Sequence, residues 1–328
     1  MHAFDSIISF LSKRMEKQGS AILFGSHERI PLKKDSFSAV SPVVGPRLVF
    51  VDSGCGSILS GPDVGVEFVR SYACFYDNNV RVDRILNEFF LVVLALQKGL
   101  DLAYEVVLFD VGGVEKEKFS FDANDPVLCF GGRRAEPGSV ASHVRKLLEL
   151  RFVEELCAKS NSGDIIVRDG DLEARGEVME QVLRSLRTSA QRKGVVVLGL
   201  SKTSTLCTDL GHSALVALRN IAPVGSWSYY AGGALAFVKL HPASKYVFRC
   251  DVMSYDRDFL PKAWSALSAN SADPAFLGYP YGLMDADKFA QVAQDELFQL
   301  RARFAVMSKE VFSSVEASLD AHNLLNSF

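Results

Sequence analysis

Three apolar runs constrain the fold more than any other feature of this sequence: Leu48 to Val51, Ile165 to Val167 and the near-continuous Val195 to Leu200. Strands that alternate apolar and polar residues keep one face in water, whereas unbroken runs suit strands covered on both faces. A helical stretch, Leu172 to Arg192, separates the last two runs, the pattern of a strand, a covering helix and a parallel strand. The expected class is α/β, a mixed central sheet flanked by helices with additional C-terminal strands and helices.

The remaining elements follow from local pattern. Val66 to Tyr76 is rich in β-branched and aromatic residues and reads as a strand after a glycine-rich loop, Ser53 to Gly65. Val82 to Lys98 has helical composition, Tyr104 to Asp110 and Lys118 to Phe121 are strand-like, and Ser139 to Lys159 is a long helix opened by a serine cap. Alternating strands are expected at Trp227 to Tyr230, Leu235 to Leu240 and Tyr246 to Met253, then helices from Phe259 to Phe328. Before the first run, Phe4, Ile7, Ile8 and Leu11 recur at helical spacing ahead of the basic stretch Lys13 to Lys17. They predict a short amphipathic helix that docks on the body of the protein or, as the second choice, on a partner, followed by a connector, Ser26 to Pro46. The expected division is an N-terminal helix and connector, 1–46, and a single larger domain, 47–328.

Bulk properties exclude several classes. With 328 residues, 48% hydrophobic and 23% charged, the chain has the make-up of a globule and excludes large-scale disorder. A net charge of -3 excludes a uniformly basic surface, so any nucleic-acid contact has to be a local groove. Cys55, Cys74, Cys129, Cys157, Cys207 and Cys250 are scattered without a C-x-x-C pair, which reads as reduced thiols and not a zinc site. The longest apolar run, Phe89 to Leu96, is far short of a membrane span and no signal-peptide pattern opens the chain. A cytoplasmic protein with no membrane contact is expected.

Chemistry concentrates where the apolar runs stop. Val49-Phe50-Val51-Asp52 delivers an aspartate after three apolar residues, and Ile165-Ile166-Val167-Arg168-Asp169-Gly170 repeats the design. Either aspartate alone is ordinary turn chemistry. Two carboxylates at strand ends of one α/β sheet occupy the position where such sheets place their sites. Clustered carboxylates repel unless a cation neutralises them, and hard oxygen ligands select Mg²⁺ or Mn²⁺ over zinc. A third acid is offered by the helix before Asp169, among Glu149, Glu154 and Glu155. Glu149 shares its arc with Phe152, Val153 and Leu156 and so should face the sheet, while Glu155 lies near Val144 and Leu148; a solvated or salt-bridged glutamate is the bland alternative. Lys202, at another strand end among hydroxyl residues, suits a phosphate as a point charge or is a loop lysine. Tyr279-Pro280-Tyr281 is an aromatic turn that suits stacking on unpaired bases or packing in the core.

Taken in order, the aspartate after the first strand, Asp169-Gly170-Asp171-Leu172, Gly199-Leu200-Ser201-Lys202-Thr203-Ser204 and the late Tyr-Pro-x-x-Leu-x-x-Ala segment from Tyr279 resemble the NurA nucleases, from about Arg47 to Ala290. The resemblance implies a ribonuclease H-like fold, dependence on Mn²⁺ or Mg²⁺, a homodimer, and work with a HerA-type hexameric ATPase in DNA end resection and repair. It further implies 5′-to-3′ exonuclease and single-strand endonuclease activity on DNA. Carried over residue by residue, Asp52, Glu149 and Asp169 hold the metal, Lys202 steadies the phosphate, and Tyr279 orients the strand or water. The family usually carries a histidine where this chain has Asp287, and its first-strand motif more often reads Asp-Gly-Ser than Asp-Ser-Gly. An aspartate adds negative charge where a proton shuttle is expected. That departure motivates an alternative reading, a catalytically weakened DNA-clamping or ATPase-binding module of the same fold. A ribonuclease H-like enzyme acting on RNA is a second alternative, although no aromatic RNA-binding motif is present.

Overall fold

A computed structural model describes residues 2–15, 19–25, 28–129, 131, 133–253 and 257–308. Helix α1 (His2–Met15) precedes a hairpin of β1 (Ala21–Phe24) and β2 (Glu28–Pro31) and a short strand β3 (Phe37–Ala39). Five strands then form an antiparallel meander: β4 (Leu48–Ser60), β5 (Val64–Asp77), β6 (Val80–Lys98), β7 (Asp101–Asp110) and β8 (Glu115–Asp122). Helix α2 (Pro137–Lys159), β9 (Ile165–Asp169), α3 (Glu177–Lys193) and β10 (Val196–Ser201) supply the strand and helix alternation. After α4 (Ala214–Ile221) come β11 (Trp227–Gly232), β12 (Leu235–Lys239) and β13 (Phe248–Val252), then α5 (Leu260–Ala269), α6 (Tyr281–Ala290) and α7 (Gln294–Met307).

Eleven strands join in one sheet, in the order β3-β11-β12-β13-β10-β9-β4-β5-β6-β7-β8. Its centre, β6-β5-β4-β9-β10, is an antiparallel meander continued by two strands parallel to β4. This is the ribonuclease H-like arrangement. The apolar runs behave as expected of doubly covered strands: Leu48, Val49, Phe50, Val51, Ile165, Ile166 and Val167 are all buried. Alternation divides them between two layers. Val49, Val51, Ile166 and Val197 pack with α2 and α3, while Phe50, Val167, Leu198 and Leu200 pack with α5 and α6.

Four expectations need correction. Val80–Lys98 is a strand and not a helix, because β5 bonds it along Val80 to Leu94 and β7 along Phe89 to Lys98; ladder partners on both sides override composition. The glycine-rich stretch from Ser53 is no loop: β4 continues to Ser60, so Asp52 lies inside a strand and not at its end. The supposed connector contains β2 and β3, and β3 extends the sheet by pairing with β11. Helix α1 forms, but Phe4, Ile7, Ile8, Phe10 and Leu11 are all exposed, so among the described residues it does not dock on the body. The expected helical region beyond Ser308 lies outside the described residues, as do the side chains of Lys13 to Lys17. No helix among the described residues is long and apolar enough to cross a membrane.

Candidate metal centre

Asp52 is positioned by the unequal lengths of two parallel neighbours. Strand β9 pairs with β4 only as far as Val51, and the chain then turns away at Gly170, whose φ of +116° favours a residue without a side chain. Beyond that point β4 is bonded to β5 alone, leaving Asp52 at the mouth of the notch that β9 vacates. Asp52 has the parity of Phe50, and Asp169 that of Val167, so both carboxylates turn toward the α5 and α6 layer. Ser53 and Arg168, one position away, turn toward α2.

Helix α6 brings the third acid. Gly282 lies where any side chain would overlap the Phe50 ring, and Gly54 lies where one would overlap the Ala290 carbonyl, so the helix rests directly on β4 at both points. Eight helical residues rise about 12 Å and four strand residues about 13 Å, so helix and strand run in step between these contacts. Asp287, five residues past Gly282, therefore falls over Asp52. The seat is pinned by Asn270 Oδ1, which accepts the Gly282 N–H at 3.0 Å, and by Asp285, bonded to Tyr76 Oη at 3.0 Å and Arg81 at 2.8 Å.

Asp52, Asp169 and Asp287 each present an oxygen, and the three oxygens lie within 4.8 Å of one another. Burial, followed by the charges of Glu149, Asp169 and Asp287, pushes the Asp52 carboxyl up to about 8, against the opposing N–H of Ser53 at 2.7 Å. Burial also raises Asp169, although Lys202 opposes it. The lysine donates to Asp169 Oδ2 at 2.7 Å and to Asp287 Oδ1 at 2.9 Å. Burial pulls Lys202 down, but these two bonds outweigh it and hold the ammonium up at about 12. Tyr279 is buried beside them with Lys202 Nζ 5.6 Å from its ring centre. Its hydroxyl lies beside Asp169, and burial and the charge of that acid raise its pKa. Tyr281 of the same turn is exposed, edge-on to Tyr76.

One lysine facing three converging carboxylates leaves the cluster short of positive charge, and the partial burial of Asp52 and Asp169 weakens screening by water. Hard oxygen donors in that state fit a divalent cation such as Mg²⁺ or Mn²⁺.

Glu149 is buried against the sheet, as its helical position requires, yet it stands outside this group of three. Its carboxylate accepts from Arg168 Nε at 2.6 Å and Arg145 at 3.3 Å, and from the Ser53 hydroxyl. Arg145 also binds the Ser53 carbonyl at 2.6 Å. Glu149, the acid that the sequence offered as a third ligand, is thus bonded to two arginines on the α2 side, while Asp287 lies with Asp52 and Asp169. Arg168 escaped notice although it sits inside the Asp-Gly motif: a charged residue in an otherwise apolar buried run needs a partner, and that was the available signal.

Fold and cluster together define a ribonuclease H-like α/β protein with an acidic centre at the notch between β4 and β9. No family model and no curated protein matches the sequence. Among solved structures, the chain is similar to the NurA nuclease from Sulfolobus solfataricus, at 13% identity over 94% of each chain with a TM-score of 0.44. It is also similar to the catalytic domain of human Endonuclease V, at 14% identity over 78% of this chain and 89% of that one with a TM-score of 0.33. Against A. aeolicus Argonaute the identity is 10%, over 75% of this chain and 28% of that one, with a TM-score of 0.32.

Proposed function

We propose that this chain is a divalent-metal-dependent deoxyribonuclease that hydrolyses phosphodiester bonds. The observation that carries the reading is the convergence of Asp52, Asp169 and Asp287 within 4.8 Å with Lys202 bonded to two of them. Asp52, Asp169 and Asp287 would hold Mn²⁺ or Mg²⁺, which supplies charge stabilisation at the phosphoryl group and an acidified water. Lys202 neutralises Asp169 and Asp287 and presents positive charge to an incoming phosphate. Tyr279, whose buried hydroxyl lies beside Asp169, would orient the strand or the attacking water. Glu149 keeps β4 and β9 in register through Ser53 and Arg168, and reaches the reaction through Asp52, whose charge it opposes.

The same reading extends to a homodimer acting in DNA end resection with a HerA-type hexameric ATPase, with exonuclease and single-strand endonuclease action; its support is the ordered set of sequence motifs. The binding-module alternative was motivated by Asp287 in place of a histidine. Its motive weakens once that aspartate completes the acid cluster. Purified protein with Mn²⁺ should degrade single-stranded DNA and leave matched RNA largely intact, and Asp52→Ala and Asp169→Ala should lose roughly a hundredfold or more in rate. Equal cleavage by wild type and both variants would dismiss the assigned centre, and cleavage by none of the three would favour the binding module.

A further inference from the structure

Pro137 opens α2, and beside that end the surface sinks into a cavity of about 430 Å³. Its lining is polar and basic: Ser139, Ser142, His143 and Lys146 from α2, with Arg175 from the loop that follows β9. None of the first four side chains makes a hydrogen bond or ion pair with any described residue. Arg175 has only a long contact to Asp171, at 3.5 Å. Lys146 and His143 are half-buried, so water screens them incompletely, and both are held below their ordinary values by burial and by neighbouring cations. The acids nearby are Glu136 at the rim, Asp125, which opposes the effect on His143, and Asp171, which pairs with Arg175 and opposes the effect on Lys146; none of the three forms an ion pair with Lys146. Two cations, an imidazole and two hydroxyls thus converge on one hollow; Arg175 is shared with Asp171, but Lys146 has no ion-pair partner among the described residues. A tetrahedral oxyanion has the matching chemistry, since it accepts from hydroxyl, ammonium and guanidinium donors at once.

The hollow lies on the α2 side of the sheet and the acidic carboxylates turn toward α5 and α6, so a strand meeting both has to pass the notch where β9 leaves β4. Arg175 is six residues beyond Asp169, which limits their separation to about 20 Å even in extended chain. Lys146 lies within one turn of Glu149, the residue whose charge acts on Asp52. We propose that this cavity is a phosphate-anchoring subsite that holds a backbone phosphate of the nucleic-acid strand a few nucleotides from the bond to be cut. The assignment of the phosphate to a nucleic-acid strand rests on the nuclease reading; the anion site itself rests on the cavity alone.

The decisive comparison is wild type against Lys146→Ala/Arg175→Ala, with Lys146→Gln/Arg175→Gln as a milder pair in case the first folds poorly. Inorganic phosphate should raise the melting temperature of the wild type and not of the variants; no stabilisation of the wild type, or equal stabilisation of all, would overturn the site. Binding of a fluorescent single-stranded oligonucleotide in EDTA should show a salt dependence shallower by about 0.7 in the variants, the value for one phosphate contact. With Mn²⁺, KM for that oligonucleotide should rise about tenfold at unchanged kcat, whereas hydrolysis of bis(p-nitrophenyl) phosphate, too small to span both places, should not change. Phosphate stabilisation without any change in oligonucleotide binding would mean that the pocket takes a free anion, overturning the strand assignment. A wild type that hydrolyses neither substrate would sink the nuclease reading and leave the phosphate experiment to judge the pocket.

Discussion

Replacing Asp52 with asparagine isolates the cost of the acidic centre in the metal-free protein. In the folded chain this carboxyl is held up at about 8 from an ordinary 3.8, so between those values the native state keeps a proton that the unfolded chain has released. Stability then falls as pH rises, by up to about 1.4 kcal/mol per pH unit, is lowest above about pH 8, and recovers in full only below about pH 4. The asparagine amide has no proton to lose, so the variant lacks this slope. From pH 5 to pH 8 the stability gap between variant and wild type should widen by at most about 4 kcal/mol, and by at least half of that if neighbouring groups rearrange. For a chain of this size 1 kcal/mol corresponds to roughly 2 °C, so in EDTA the variant should gain about 4 to 8 °C on the wild type across that range. Adding Mn²⁺ should reverse the order at pH 8, because only the wild type exchanges the proton for a cation. Melting curves that stay parallel from pH 5 to pH 8 in EDTA would refute the claim that Asp52 carries an uncompensated charge.

Four further substitutions probe the surroundings of the centre. Glu149→Gln should retain Mn²⁺ stabilisation, because the acid is bonded to Arg168 and Arg145 and not to the cluster, whereas Arg168→Ala, which leaves the buried carboxylate with Arg145 and Ser53 alone, should cost about 1 to 3 kcal/mol in chemical denaturation; loss of Mn²⁺ binding in Glu149→Gln would return that residue to the metal. Lys202→Met removes the cation that holds Asp169 down, so the acidic limb of the rate profile should move to higher pH and kcat should fall by roughly tenfold or more; an unshifted limb would show that Asp169 does not need the lysine to ionise. Gly282→Ala places a methyl group into the Phe50 ring, and should lower stability by about 1 to 3 kcal/mol and weaken Mn²⁺ binding together. Unchanged melting and binding would mean that α6 is not seated by that contact.

Much of the sheet was legible because apolar runs report burial on both faces, and Asp52 and Asp169 stood out by ending them. The helical reading of β6 failed for a physical reason: Phe89 to Leu96 is apolar throughout, so its period carries no signal, and only pairing with β5 and β7 decides. Glu149 shows a different limit. A helical wheel established that it is buried, but what it meets depends on the alternation of Ser53 and Arg168 across two strands. Asp287 was read as an intruding charge because its place over Asp52 arises from two glycine contacts between distant segments, at Gly282 and Gly54. The exposed face of α1 illustrates the converse, since amphipathic spacing specifies a face and not its partner.

The four residues that meet at the centre, Asp52, Asp169, Lys202 and Asp287, are spread over some two thirds of the sequence, and α6 contributes its member last. During synthesis the first three leave the ribosome well before Asp287, so the cluster cannot be complete until α6 settles on β4. If the cluster holds an ion as proposed, ion uptake would report complete folding, and the proposed nuclease would stay idle while the chain is still being made.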